Sequence, residues 1–222
     1  MPNVYFLTAV ENDSILPGGA NAQYYLDLMK NEITSCLNSN GISYFGENSA
    51  PQDAVGINLV IDSSSGKTPG IKISYQNGNP ESNRLSTIIF ENMKTVYFDP
   101  SNVRLSAEET AANGKLMTTI TFENLQNPEN LLWIRQNLEL LSKEIIMSLT
   151  EFFGLPYIAC EETKDGMAIK DESIRNRPHL NARVVGSTQA NTKIDVLGQW
   201  ENWYVVGKNG DLGYIQTQFI EI

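Results

Sequence analysis

The sequence VGINLVIDSSSG, which runs from Val55 to Gly66, decides how the rest of the chain is interpreted. It begins as an apolar run rich in β-branched residues and stops abruptly at Asp62. A short apolar run bounded by turn residues indicates a buried strand. Open α/β sheets bind their ligands at the carboxyl ends of such strands, so Asp62, Ser63 and Ser64 are candidate ligand-binding residues.

The charge balance of the chain excludes some classes of function. The 222 residues include 16 basic and 26 acidic side chains, which gives a net charge of −10. Nucleic-acid binding and attachment to anionic lipid both need a basic surface, so neither is predicted. No run approaches the roughly 18 apolar residues of a membrane span, and the first residues lack the pattern of a secretory signal.

The two cysteines and the single histidine limit redox and metal chemistry. Two cysteines do not make the framework of a disulfide-rich domain, so we expect no structural disulfide. Cys36 falls on the apolar face of a predicted helix, and Cys160 falls in a predicted linker. With one histidine and no Cys-x-x-Cys motif, a closed Cys/His zinc site is excluded.

Strand and helix patterns alternate over residues 1–158. Asn79-Pro80-Glu81 and Asn127-Pro128-Glu129 are typical helix starts, with proline in the first turn. Apolar residues at helical spacing from Leu131 to Phe152 predict one long helix. A polar stretch follows the helix that begins at Asn79-Pro80-Glu81, and this stretch runs to Gly114, just before the last predicted strand. This alternation predicts an α/β layered domain, a mixed or largely parallel sheet flanked by helices. Strands are predicted at 4–7, 42–45, 57–61, 71–75 and 117–122.

The character of the chain changes after the α/β pattern. Residues 159–166 are polar and are interpreted as a linker. Residues 167–222 show short β-type runs separated by Asn, Gly and Lys, without a helical period. This pattern predicts a small all-β barrel.

The segment IRNRPHLNARVVG, residues 174–186, and four later segments resemble a bacterial SH3 domain. The later segments lie at 192–198, 203–206, 209–215 and 218–220. The resemblance implies a module that targets peptidoglycan or its peptides in the bacterial cell wall. An aromatic groove could be supplied by His179, Trp200, Trp203, Tyr204 and Tyr214. Alternatively, Trp203 and Tyr214 belong partly to the core, since aromatic residues dominate small cores.

Most of residues 1–154 resembles the zinc-dependent N-acetylmuramoyl-L-alanine amidases. These α/β proteins cut the bond between the lactyl group of the glycan and the stem peptide. Residues 57–66 are similar to the strand that carries their second zinc-binding histidine. Residues 119–130 are similar to the strand of their catalytic glutamate and the Asn-Pro turn after it.

The amidase resemblance implies His, Glu and His as zinc ligands and a glutamate as general base. The matching positions in this chain are Asp13, Gln23, Asp62 and Thr121. Ser64 also replaces an asparagine of the family, and Glu123 lies two residues after Thr121, on the same face of the strand. Imidazole suits zinc better than Asp or Gln does, so we expect the zinc site to be lost, with no other metal or cofactor.

Asp62 and the residues after it allow other interpretations. An aspartate at a strand end commonly caps a turn through its own backbone. The segment from Ser63 to Thr68 ends in Gly-Lys-Thr, but it lacks the upstream glycine of a phosphate-binding loop. We therefore do not predict nucleotide binding.

Three functions follow as hypotheses. The first is an inactive amidase-like protein, a pseudoenzyme, that binds peptidoglycan, a muropeptide or a wall-associated protein. The second is an active wall hydrolase with a rearranged site built from Asp13, Asp62 and Glu123. The third is a protein–protein interaction module that does not bind the wall. Without a recognised signal, the expected route is cytoplasmic synthesis with action at the wall by a lysin-like or other non-standard path.

Overall fold

The structure is a computed structural model that describes residues 2–12, 15–108, 115–208 and 211–222. The chain divides into two compact units. The α/β unit comprises residues 3–33 and 45–152. The C-terminal unit comprises residues 34–44 and 153–222, together with Pro2. A segment from the first half of the sequence is therefore part of the C-terminal unit.

A mixed six-stranded sheet confirms the predicted fold class. In chain order its strands, β1 to β6, are Asn3–Glu11, Ser43–Phe45, Val55–Asp62, Gly70–Gln76, Val103–Glu108 and Met117–Glu123. Their order in the sheet is β2-β1-β3-β6-β4-β5. Strands β1, β3 and β6 run parallel, while β4 is antiparallel to β6 and parallel to β5.

Four helices accompany the sheet, and two of their starts are as predicted. The helices are α1, Ala22–Leu37; α2, Pro80–Val96; α3, Pro128–Gln136; and α4, Leu138–Phe153. The side chains of Asn79 and Asn127 cap α2 and α3 by accepting hydrogen bonds from backbone N–H groups of the first turn. Of the helices in the described ranges, none combines the length and apolar character needed to cross a membrane.

The prediction of one long helix from Leu131 to Phe152 is wrong, because Asn137 separates α3 from α4. The Nδ2 of Asn137 donates to the carbonyl oxygen of Trp133 at 2.8 Å. A side chain that bonds the backbone of the preceding turn competes with helical hydrogen bonding. The apolar spacing runs through this point and therefore does not reveal the break.

Strand β5 replaces part of the polar stretch that the sequence predicts before Gly114. It lies at the end of the strand order and is paired with β4. Its residues Arg104 and Glu108 are charged, as is common on edge strands, where charge discourages pairing with other chains. That polarity hides the strand from a reading based on apolar runs.

The core of the α/β unit consists of buried aliphatic and aromatic side chains from the central strands and the helices. Their burial holds the strands in register, so that polar residues at the strand ends are placed side by side. The core includes Ile57, Leu59, Ile61, Ile73, Leu85, Ile89, Ile120, Phe122, Leu141, Ile145 and Leu149.

The C-terminal unit contains a seven-stranded antiparallel sheet around a small apolar core. Its strands, β7 to β13, are Lys164–Ala168, Glu172–Arg175, Val184–Thr188, Lys193–Trp200, Trp203–Lys208, Asp211–Gln216 and Ile220–Glu221. Their order is β13-β7-β10-β11-β12-β8-β9. Strand β7 begins inside the stretch that the sequence assigns to the linker.

The expectation of no structural disulfide is wrong, because Cys36 and Cys160 are bonded, with their Cα atoms 5.2 Å apart. Both cysteines belong to the C-terminal unit. Their positions are 124 residues apart in sequence, so cysteine counting could not bring them together.

Candidate functional site

Three carboxylates form a row at the carboxyl ends of three adjacent parallel strands. Glu11 ends β1, Asp62 ends β3 and Glu123 ends β6. The register pairs Glu11 with Asp62 and Asp62 with Glu123, so the three side chains point to the same side of the sheet. Neighbouring strands lie only about 4.8 Å apart, so this row needs nearby positive charge.

Asp62 is fully buried and engages both of its carboxylate oxygens. Its Oδ1 accepts hydrogen bonds from Asn12 Nδ2 at 2.6 Å and from the Ser64 backbone N–H at 3.0 Å. Its Oδ2 pairs with the ammonium of Lys67. Burial raises the pKa of Asp62, but the hydrogen bonds from Lys67, Ser64 and Asn12 outweigh it and lower the pKa to about 2. The Ser64 contact is the turn cap that one interpretation of the sequence predicts.

The loop after β3 is tied to both neighbouring strands. Ser63 donates to the Glu11 carbonyl oxygen through its N–H at 3.3 Å and through its hydroxyl at 3.2 Å. Asn124 Nδ2 donates to the Lys67 carbonyl oxygen at 2.7 Å. Asn12 and Asn124 have left-handed φ values of 67° and 51°, a conformation that asparagine tolerates better than most residues.

Lys67 supplies positive charge to the whole row. Its hydrogen bond to Asp62 raises the pKa of Lys67, and the charges of Glu123 and Glu11 raise it further. The Lys67 side chain is about half exposed, whereas Asp62 is buried. The Lys67 ammonium therefore lies between the buried carboxylate of Asp62 and the solvent.

Glu123 is paired with a cation that reaches it from the β5 edge of the sheet, on the same face. The guanidinium of Arg104, on β5, pairs with Glu123 Oε2. The Glu123 carbonyl oxygen accepts a hydrogen bond from Asn130 Nδ2 at 2.8 Å. Thr121 lies on the same strand face two residues earlier, is buried, and is in register with Lys72. The carboxylate predicted beside Thr121 is therefore present but paired.

The remaining predicted positions of the α/β unit contribute less. Gln23 Nε2 donates to Thr8 Oγ1 at 3.2 Å and to Asp27 Oδ1 at 2.9 Å. These contacts commit its amide nitrogen to β1 and to its own helix. Asp13 lies outside the described residues.

Zinc, which the resemblance implies for this edge, does not fit the residues present. The single histidine of the chain, His179, belongs to the C-terminal unit. Asp62 and Glu123 already face cationic partners, and an amide such as Gln23 is a poor zinc ligand. Across the described ranges, no three His, Cys, Asp or Glu side chains are grouped so that they could hold a metal ion.

The C-terminal unit carries a groove, made of two cavities that share Leu180, Trp203 and Gln216 in their lining. The cavities measure about 180 and 330 Å³. Trp203 is buried, whereas Leu180 is 59% exposed. A concave surface that combines apolar side chains with a few polar groups is typical of a ligand site. The other lining residues are Glu172, Ser173, Arg175 and Phe219 in one cavity, and Pro178, His179, Asn181 and Asn202 in the other.

Two of the predicted aromatic-groove residues, His179 and Trp203, line this groove. The Nδ1 of His179 accepts a hydrogen bond from the Asn181 backbone N–H at 3.1 Å, which fixes the ring in its loop. Trp203 lines both cavities. These two residues and Leu180 define the surface that a ligand would contact.

The other predicted aromatic residues lie elsewhere. Tyr204 lines a separate small cavity. Trp200 faces Trp203 across the β10–β11 pairing and does not line either cavity of the groove. Tyr214 is fully buried, and burial raises its pKa, so it belongs to the core as the alternative interpretation predicts.

Sequence reasoning missed the cations and the amides of the row. Lys67 lies in the Gly-Lys-Thr segment, and nothing in the spacing of that segment marks a carboxylate partner. Arg104 lies on the unpredicted strand. Asn12 and Asn124 directly follow strand ends, where asparagine signals a left-handed turn, and that signal could have identified them.

Comparison with known proteins supports the two-part fold. Residues 173–221 match the family model described as bacterial SH3 domain. A search of curated proteins finds no match.

The α/β part has the fold of N-acetylmuramoyl-L-alanine amidases. The amidase Ami1 of Mycobacterium smegmatis is similar with a TM-score of 0.53 and 9% identity, covering 68% of this chain and 97% of its own. The CwlD amidase of Clostridioides difficile, solved with the GerS lipoprotein, is similar with a TM-score of 0.52 and 14% identity, covering 67% and 98%. At these identities the likeness shows the fold alone.

Proposed function

We propose that this protein binds bacterial peptidoglycan through the groove of its C-terminal unit and does not cut it. The observation that carries the proposal is the groove around Leu180, Trp203 and Gln216 in a bacterial SH3 domain. A groove that combines apolar and polar side chains suits an extended muropeptide, whose small side chains alternate with amide groups. The amidase-like fold of the α/β unit supports the same class of ligand.

The paired state of the carboxyl edge supports the second half of the proposal. A hydrolase needs a general base within reach of a water molecule, and in the amidase chemistry a metal with an open position. Asp62 has both oxygens engaged, and Glu123 faces Arg104. A rearranged hydrolytic site would first have to break these ion pairs.

A titration of the full-length protein with soluble muropeptides, followed by ¹H–¹⁵N NMR, tests the proposal. We expect shifts at the backbone amides of Leu180 and Gln216 and at the indole N–H of Trp203. Shifts confined to the Asp62 loop would instead favour the rearranged hydrolase. A spectrum without any shift at saturating muropeptide would favour an interaction module that does not bind the wall.

A further inference from the structure

A clasp formed by residues 36–41 and 155–160 belongs to the C-terminal unit. One segment is the end of α1 with the turn after it, and the other follows α4. The disulfide between Cys36 and Cys160 joins the two segments. The clasp lies entirely outside residues 173–221, the part that matches the bacterial SH3 family model.

A buried side chain forms the non-covalent half of the clasp. Asn40 is fully buried, and its side-chain amide forms two hydrogen bonds with the backbone of Ile158, as a paired strand would. Its Nδ2 donates to the Ile158 carbonyl oxygen at 2.9 Å, and its Oδ1 accepts from the Ile158 N–H at 2.7 Å. The same Nδ2 also donates to the Cys36 carbonyl oxygen at 2.9 Å. Hydrogen bonds and disulfide therefore join the same two segments.

The strands of the barrel are shaped to receive the clasp. Gly198 on β10 faces it, since a Cβ there would approach Ile158 Cγ2 to 2.9 Å and the Ser39 carbonyl oxygen to 3.3 Å. Gly41 has a φ of 69°, and a Cβ there would lie 2.6 Å from the hydroxyl of Tyr214 on β12. Any larger residue at either position would push the clasp away from the barrel.

We propose that the working protein carries this disulfide, acts in an oxidising compartment, and loosens its clasp when the bond is reduced. The chain has two cysteines, and the clasp uses both. Disulfides persist outside the reducing cytosol. Forming the bond removes two electrons and two protons from the two thiols, and a disulfide-donating oxidant takes them up and becomes a dithiol. This inference concerns the site of action and is independent of the proposed ligand.

The redox state of the protein in its own cells is the first test. Thiols are blocked with an alkylating reagent at the moment of lysis, and the mass of the intact, unreduced protein is measured by mass spectrometry. We expect the mass of the unalkylated, oxidised chain. Alkylation of both Cys36 and Cys160 in the protein recovered from its site of action would overturn the proposal.

Amide hydrogen exchange on the full chain is the second test, because the Ile158 N–H reports directly on the clasp. Reduction should speed its exchange at least tenfold, while Ile73 in the α/β sheet, an internal control, keeps its rate. Unchanged exchange at Ile158 after full reduction would contradict the proposal. The variant Asn40→Ala keeps both cysteines, and its Ile158 N–H should exchange as fast as in the reduced wild type although the disulfide is still formed. This variant therefore distinguishes the contribution of the Asn40 hydrogen bonds from that of the disulfide.

The double variant Cys36→Ala/Cys160→Ala completes the design. It should reproduce the exchange pattern of the reduced wild type without any reductant. If it fails to fold while the oxidised wild type folds, the clasp is needed even more than proposed. A double variant with the exchange pattern of the oxidised wild type would overturn the proposal, because the bond would then hold nothing in place.

Discussion

The carboxyl edge of the α/β sheet and the groove of the C-terminal unit use their polar residues in opposite ways. At the edge, Asp62 is buried with both oxygens engaged, and cations complete the row. In the groove, Leu180, Trp203 and Gln216 form the shared centre of an open surface, and further polar and apolar residues line both ends. The fold alone therefore does not locate the functional site. Because the polar side chains are engaged at the edge and open in the groove, they favour the groove as the binding site that we propose.

Lys67→Met removes the ion pair between Lys67 and Asp62 and should have the largest effect on the free energy of unfolding. It leaves Asp62 buried without its cation. Removing one partner of a fully buried pair costs about 3–5 kcal/mol, and the half-exposed ammonium reduces this to about 2–3 kcal/mol. Chemical denaturation of the α/β unit measures the loss, and binding to sacculi should be unchanged.

The control for this variant is Glu81→Gln, which weakens an exposed pair with Arg84 at 2.9 Å in the same unit. Pairs of this kind contribute little, so its stability should stay close to that of the wild type. Equal losses in the two variants would show that the edge is an ordinary surface and would remove one side of the comparison.

The acid dependence of stability should follow the ionised state of Asp62. Its folded pKa, about 2, lies below the ordinary value, so its contribution is present above about pH 4 and is lost as pH falls towards 2. Wild type should exceed Asp62→Asn by about 2 kcal/mol at pH 6, and the gap should close near pH 2. A gap that does not change with pH would mean that the charge of Asp62 has no part in holding the edge.

Leu180→Asp sharpens the other side of the comparison. A carboxylate in place of the exposed Leu180 side chain, which lines both cavities, should weaken sacculus binding about tenfold, which is about 1.4 kcal/mol. Ile169→Asp is the matched control, because Ile169 is 57% exposed against 59% for Leu180 and lies outside the lining of both cavities. Equal losses in the two variants would place the ligand elsewhere.

Asn79→Ala should have the smallest effect. It removes the cap of α2, in which Asn79 Oδ1 accepts from the N–H groups of Glu81 and Ser82 at 3.1 Å. Losing such a cap costs about 1 kcal/mol, measurable by denaturation of the α/β unit. Sacculus binding should not change, and a loss of binding would show that the groove depends on α/β stability.

The sequence was most informative where local patterns determine structure. The apolar run before Asp62 specified the central strand, and the Asn-Pro pairs specified the starts of α2 and α3, because strand burial and helix capping depend on near neighbours. The same logic placed Asp62 at the carboxyl edge, whereas Glu123 became a candidate through the amidase resemblance. The turn cap at Asp62 also followed from its own residue type.

What the sequence could not show depends on contacts between distant residues. Lys67 and Arg104 find their carboxylates through the loop after β3 and through an edge strand, and neither partner is marked by spacing. The break at Asn137 leaves the apolar period intact. The bond between Cys36 and Cys160 requires residues 34–44 to join the C-terminal unit, which no local pattern announces.

One incubation of the full-length protein with purified sacculi tests the central claim most directly. The sedimented fraction measures binding, and newly released amino groups and peptides in the supernatant measure cleavage, with and without added zinc. The account predicts that the protein sediments with the sacculi and releases no peptide under either condition. Release of peptides from the lactyl groups of the glycan would contradict it, and so would protein that stays in the supernatant.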